Sequence, residues 1–234
     1  MTTSNELLIG AWGWSGEWSG SGGCSGYYSD EMPEDWQLCY YSNLHRAVLL
    51  PEEVWRKADA DVVGQWLEDT DPEFVFVPAV GAVVLDEIAG GGSSDWPAMA
   101  QLQQQIGCLL AMPTARQLQQ PQWLKPLRAG RALCIQLPET IAGDISSRSR
   151  ALEQICQAGA SVLWDTRTEP KPEACGDWLI AIADTQEASN QRTIIEQLGQ
   201  WMSDDDRHAV LLFTGEQAPQ AAEQARTLAE LMGI

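Results

Sequence analysis

Short apolar runs recur along the chain and alternate with longer segments whose apolar positions return every three to four residues. The runs predict strands at Leu7–Ile9, Ala47–Leu50, Phe74–Val77, Cys108–Ala111, Leu133–Gln136, Ser161–Trp164, Trp178–Ala183 and Ala209–Phe213. Helical patterns fall between them, at Glu34–Asn43, Glu52–Glu68, Trp96–Gln105, Gln117–Arg128, Ser146–Ala158 and Thr193–Met202, with a last one at Pro219–Met232. In that last segment Ala221, Ala225, Leu228, Leu231 and Met232 make an apolar stripe, and Gln220, Glu223, Arg226, Thr227 and Glu230 a polar one. Pro219 suits a first helical turn and Gly233 an end. Eight strands, all but the sixth followed by a helical pattern, predict an α/β fold: a single (β/α)₈ TIM-like barrel over residues 1–234, with one irregular or missing element. Thr168–Gly176 carries two prolines and little periodicity, so no helix is predicted between the sixth and seventh strands. Cys108–Ala111 also reads as part of a helix. The run AGGGSS at Ala89–Ser94 reads as a βα loop, because the alternation continues on both sides.

The segment Leu7–Tyr28 stands apart. Its apolar start breaks at Gly10 into a Gly- and Ser-rich loop carrying Trp12, Trp14 and Trp18. Indole rings are large and apolar and are rarely placed on a loop that only connects elements. Here they follow a strand's carboxyl end, where α/β proteins usually hold a ligand.

Composition narrows the function classes. The chain has 234 residues, 44% apolar and 20% charged, ordinary for a globular protein and enough to bury a core without staples. Thirty-three acidic and 14 basic residues give a net charge of −19, a field that repels phosphate backbones and anionic membrane surfaces. Nucleic acid and membrane are therefore not expected partners. The apolar runs are too short to span a bilayer, and MTTSNELL has no charged stretch followed by an apolar one, which predicts a cytoplasmic chain. The six cysteines are widely spaced with no C-x-x-C pair and read as small buried hydrophobes.

Several motifs then fall in a recognisable order. IGAWGWS at Ile9–Ser15 resembles the opening strand signature, roughly I-G-T-S-G-W-S, of the YecE-like TIM-barrel family, domain of unknown function 72. Trp18 and Tyr27-Tyr28 resemble its W and F-Y-P elements, and LCYYS at Leu38–Ser42 its L-x-Y-Y-A helix. Trp66 followed by TDPEFVF at Thr70–Phe76 resembles W-x-x-x-T-P-x-x-F-x-F. CIQLP at Cys134–Pro138 resembles L-F-Q-L-P, and WDTR at Trp164–Arg167 resembles E-F-R, with Asp165 at the Glu position and Arg167 at the Arg position. AVLLFTGEQAPQAAEQARTLAELM resembles the family's last strand and helix. The chain also departs from the pattern. Where the family's second strand reads V-E-I-N-S-T-F-Y, this chain has VLLPEEVW, with Leu49 at the Glu position and Pro51 at the Asn position. The Lys after strand three is absent from FVPAV, R-L-H-G near strand seven has no counterpart, and F-N-N is F-T-G at Phe213–Gly215. The family carries no established general reaction, so the resemblance implies a fold and a site location.

In such a barrel the site lies at the strands' carboxyl ends. Those ends supply Trp12 and Trp14, Glu52, Pro78, Met112, Gln136 with Glu139, Asp165 with Arg167, Asp184, and Thr214 with Glu216. Residues i and i+2 of a strand share a face, so Asp165 and Arg167 can both point into the mouth. There Arg167 is either a planar fork for an anionic group or one half of an internal ion pair. Asp184 closes the apolar run WLIAIA, where desolvation would raise its pKa towards general-acid use; the preferred reading is a cap of the following segment. Glu216 sits near the usual phosphate site of such barrels and reads as part of the last helix's first turn. Both histidines, His45 and His208, precede strands and so fall at the opposite face, which removes His-based metal and Ser-His-Asp chemistry from the mouth. No nucleotide or cofactor fingerprint is present. The expectation is a small polar or anionic ligand at the mouth, contacted by Trp12, Trp14, Arg167, Gln136 and Glu216, with no cofactor and no metal. Any catalysis would be acid–base work by Asp184 or Asp165. The alternative is a degenerate, non-catalytic barrel that serves as a protein-interaction module.

Overall fold

The computed structural model describes residues 7–15, 27–29, 31–92, 96–169, 175–203 and 207–234. Trp18 and Cys24 lie outside these residues. The described strands are β1 (Leu7–Trp12), β2 (Ala47–Leu50), β3 (Val75–Val80), β4 (Cys108–Ala111), β5 (Ala132–Ile135), β6 (Ser161–Val162), β7 (Trp164–Asp165), β8 (Trp178–Ala183) and β9 (His208–Phe213). All pair in parallel, in the order β6-β5-β4-β3-β2-β1-β9-β8-β7. β6 and β7 flank Leu163 on one stretch of chain. Ser161 and Val162 pair with β5, Trp164 and Asp165 with β8, so the two ends of the sheet meet on that stretch. The result is a nearly closed α/β barrel, and the predicted sixth strand is the seam at which it closes.

Alternation shows which side of each strand faces inward. Ala47 and Leu49, Val77 and Ala79, Cys108 and Leu110, Ile180 and Ile182, and Val210 and Leu212 are every-other-residue sets that pack on one another alone. They fill the barrel. The intervening residues, such as Val48, Phe76, Leu109, Leu179 and Leu211, pack against the helices. Burial on both faces explains why the strands read as continuous apolar runs rather than alternating ones.

Several boundaries differ from the sequence expectation, each for a local reason. β1 runs straight through Gly10 to Trp12, so Trp12 sits on a strand, not on the loop. The missing side chain at Gly10 is what lets β2 pair there: a Cβ would lie 1.7 Å from the Ala47 carbonyl oxygen. The predicted Glu52–Glu68 helix is two, α2 (Glu52–Trp55) and α3 (Ala60–Glu68), because the Asp59 carboxylate caps α3 by accepting from the Asp61 and Val62 N–H groups. Gln117–Arg128 likewise divides, into α6 (Ala115–Gln119) and α7 (Leu124–Arg128), either side of Pro121. The helix α4 (Ala82–Ala89) has no counterpart in the sequence reading, since AVVLDEIA is apolar nearly all round and shows no clear stripe. In the final helix (Ala218–Met232) the buried positions are Pro219 and alanines 218, 221, 222, 225 and 229. Leu231, assigned to the apolar stripe, is exposed, because the small alanine face settles close on the sheet and ends before it.

The cysteine reading is corrected in part. Cys108 and Cys134 are buried inside the barrel, where burial raises both thiols, Cys134 to about 12. Cys39 is exposed, and Cys156 and Cys175 form a disulfide across 19 residues, with Cα atoms 5.3 Å apart. The bond ties the end of the helix Ile145–Gln157 to the residues entering β8. Spacing alone hid it, because the two partners meet only when the barrel closes. Among the described residues no helix is long and apolar enough to cross a membrane.

Candidate functional site

The inward register continues past the strand ends to Trp12, Met112, Gln136, Asp165, Asp184 and Thr214, which places these residues at the carboxyl-end mouth. Trp12 and Met112 pack on the inner core and close the centre of the mouth. Above them lies a cavity of about 360 Å³ lined by Trp12, Glu52, Gly81 and Met112. Glu52 is already committed there: its carboxylate accepts the Gly81 N–H and pairs with Arg56 at 3.4 Å. Trp14 is not presented to the mouth. Gly13, at φ 82°, turns the chain off the strand, and the Trp14 ring is buried edge-on to Trp66 and Phe76 at 5.7 and 6.4 Å. His208 opens β9 and stacks on Trp178 at 4.8 Å, and His45 precedes β2, so both described histidines stand at the amino-terminal end.

The polar centre is on the other side of the mouth. Asp165 holds Arg167 by two parallel bonds, Arg167 Nε donating to Oδ1 at 2.8 Å and Nη2 to Oδ2 at 2.6 Å. The Arg167 backbone N–H also donates to Oδ1 at 3.0 Å. The guanidinium bonds hold the Asp165 carboxyl below its ordinary range; the same bonds, with smaller attraction from Asp165 and Asp184, raise Arg167. Asp165 is therefore fixed as an ionised acceptor, which excludes it as a proton donor near neutral pH. Arg167 Nη1 has no hydrogen-bond partner among the described residues.

Arg167 and Asp184 line a cavity of about 620 Å³, together with Thr166, Thr185, Asn190 and Gln197. The cavity lies beside the stretch between β7 and β8, where the described residues contain no helix, against α10 (Ala188–Met202). Asp184 is exposed there rather than desolvated, and it does not cap α10, whose N-cap is Glu187. The site residues that sequence reasoning missed are those on α10. The predicted helix begins at Thr193, one turn late, and leaves out Asn190. The signal was present: Asn190, Thr193 and Gln197 form a polar stripe on the helix beside the predicted gap.

The remaining candidates stand apart. Gln136 is half-buried at the end of β5, with its N–H donating to Ala111 O at 2.9 Å, and lines neither cavity. Glu216 is exposed in a turn, two residues before the final helix rather than in it, because Gly215 at φ 96° delays the helix start. Among the described residues no three His, Cys, Asp or Glu side chains converge closely enough to hold a metal ion, so Asp165, Asp184 and Glu216 do not form a carboxylate cage.

No protein-family model and no curated protein sequence matches this chain. Solved structures match it over its whole length. A DUF72 family protein of Enterococcus faecalis V583 superposes with a TM-score of 0.67 at 12% identity, covering 99% of both chains. A DUF72 family protein of Thermotoga maritima MSB8 gives 0.66 at 15% identity, covering 98% of this chain and 100% of its own. The fold is that of the DUF72 proteins. A truncated 3-deoxy-D-arabino-heptulosonate 7-phosphate synthase of Thermotoga maritima follows at 0.50 and 10% identity, over 97% of this chain and 88% of its own. The DUF72 barrel thus emerges from the backbone where sequence identity is low, in agreement with the ordered motifs from Ile9 to Met232.

Proposed function

We propose that this DUF72-type barrel binds a small polar or anionic molecule at the carboxyl ends of β7 and β8, in the cavity beside Arg167. One observation carries the reading. Asp165 grips Arg167 through Nε and Nη2 and so orients the guanidinium, Nη1 has no hydrogen-bond partner among the described residues, and Arg167 lines a cavity of about 620 Å³. That volume suits a small molecule. The hydroxyl and amide groups of Thr166, Thr185, Asn190 and Gln197 around the same space suit a hydroxylated ligand, and a preset guanidinium suits its carboxylate or phosphate. Asp165, together with Asp184, Glu169 and Glu187 of the cavity lining, offsets the Arg167 charge, so hydrogen bonding carries more of the recognition than net charge. Trp12 lines the separate cavity on the other side of the mouth and does not line this site.

Thermal-shift screening of the full chain against polyols, sugar phosphates and organic acids tests the reading. A ligand present at 100 times its Kd adds about 2.7 kcal/mol and raises the melting temperature. Arg167→Ala is expected to abolish that shift. A shift that survives in the variant, or a panel that produces none, overturns the reading.

A further inference from the structure

We propose that the groove between α1 (Glu34–Leu44) and the end of α3 is a separate site for a small organic ammonium ion, held by cation–π contact with Trp36 and Tyr40 and by the carboxylates of Asp35 and Asp69. A cavity of about 480 Å³ lies there, lined by these four residues together with Met32 and Gln65. It is on the helical outside of the barrel and shares no residue with the cavities at the mouth.

Trp36 and Tyr40 are one helical turn apart on α1, so both rings stand on one face. Trp36 is 64% exposed and Tyr40 41%, the two exposed aromatic side chains among the described residues. An exposed aromatic pair at the edge of a cavity is an apolar surface that water covers poorly. Tyr40 is held in place from behind, edge-on to Tyr27 and Tyr28 at 5.9 and 5.8 Å, which leaves its other side to the groove. Asp69 is held as well: Gln65 Nε2 donates to its Oδ1 at 2.8 Å, and Ser42 Oγ donates to its backbone carbonyl at 2.9 Å, tying the end of α3 to α1. The walls are thus set before anything binds.

Charge decides the ligand class. The described lining residues include two carboxylates and neither Lys nor Arg. Aromatic faces are electron-rich and attract cations, and the carboxylates add direct attraction in the same space. The chain's net charge of −19 repels anions from this face and draws cations towards it. A neutral aromatic ligand would use the rings and leave the carboxylates idle; an anion would meet repulsion from both. The volume fits a free small molecule and is too small for a folded element of a partner.

Calorimetric titration of the full chain with choline, and with its neutral isostere 3,3-dimethylbutan-1-ol, tests the proposal. Choline is expected to bind saturably and the isostere about tenfold more weakly. Trp36→Ala, at an exposed position where circular dichroism is expected to match the native chain, is expected to weaken choline about tenfold, and Asp69→Asn to weaken it by a similar factor while sparing the isostere. Arg167→Ala is expected to leave choline binding unchanged, which separates this site from the one at the mouth. Equal affinity for choline and its isostere, no saturable binding of choline, or unchanged affinity in Trp36→Ala overturns the proposal. So does binding of a Lys-rich peptide that choline fails to displace, which would assign the groove to a polypeptide.

Discussion

Gly10 of β1 lies so close to β2 that a Cβ on it would stand 1.7 Å from the carbonyl oxygen of Ala47. The Tyr41 hydroxyl completes the junction, donating to that same oxygen at 2.9 Å and accepting the Ala11 N–H at 2.6 Å. Gly10→Ala is expected to force the two strands apart and to lower stability by about 3 kcal/mol or more. Tyr41→Phe leaves a buried N–H without its partner and is expected to lose about 1–3 kcal/mol. Urea unfolding followed by circular dichroism measures both. A Gly10→Ala variant within about 0.5 kcal/mol of the native chain would show that the junction does not need the glycine.

His45 sits behind this junction. It is buried, its Nε2 meets the Tyr27 hydroxyl at 3.0 Å, and its Nδ1 has no partner among the described residues. Burial, with a smaller contribution from Arg226, lowers its pKa from 6.5 to about 3. The unfolded chain therefore takes up the proton first. The stability tied to neutral His45 is present above pH 6.5 and is lost as pH falls from 6.5 towards about 3. At pH 5 the expected loss is about 2 kcal/mol relative to pH 7. Unfolding curves of the native chain and of His45→Gln at both pH values test this. Equal pH dependence in the two proteins would remove His45 as the cause.

The Cys156–Cys175 disulfide links positions 19 residues apart and ties the end of the helix Ile145–Gln157 to the residues entering β8. Chain entropy predicts that Cys156→Ser, or reduction, lowers stability by about 3 kcal/mol. Thermal unfolding with and without dithiothreitol reads this directly. A melting temperature insensitive to reductant would show that the bond contributes nothing to the folded state.

Arg167→Lys separates geometry from charge. Lys keeps the cation but loses the planar fork that Asp165 holds at Nε and Nη2. Arg167 is exposed and Asp165 half-buried, and Lys keeps the cation beside the carboxylate, so stability is expected to change by less than about 1 kcal/mol, while ligand-induced thermal shifts fall at least about tenfold in apparent affinity. Undiminished shifts would mean that charge alone suffices.

If the ligand at the mouth is turned over, Asp184 is the group placed to move the proton. It lines the cavity, whereas the Asp165 carboxylate is committed to Arg167. Asp184→Asn is then expected to abolish turnover without changing the melting temperature. A turnover assay on ligands found in the thermal screen checks it, and an active Asp184→Asn variant removes Asp184 from the reaction.

Strand content and the barrel itself were legible along the chain. Doubly buried strands need unbroken apolar runs such as WLIAIA and CLLA, and these stand out against polar helices. The order of motifs from Ile9 to Met232 pointed to the same fold that the DUF72 structures share. Asp165 and Arg167 do pair, but not on one strand face as their spacing suggested: β7 ends at Asp165 and Arg167 stands in the turn that follows, its N–H also bonded to the Asp165 carboxylate.

Tertiary structure decided what depends on two distant segments meeting. Gly10 reads as a break in isolation and becomes a strand residue only because Ala47 approaches it. Cys156 and Cys175 read as separate thiols until closure of the barrel sets their Cα atoms 5.3 Å apart. Trp14 reads as a mouth residue until Gly13 turns it into the outer core. The cavity beside Arg167 brings the turn after β7, the end of β8 and the polar stripe of α10 together, a property of their packing and not of any one residue. Local sequence specifies periodicity, caps and faces, because those depend on neighbours a few residues away. Contacts, cavities and cross-links depend on chain closure over tens to hundreds of residues, and no short window of sequence carries them.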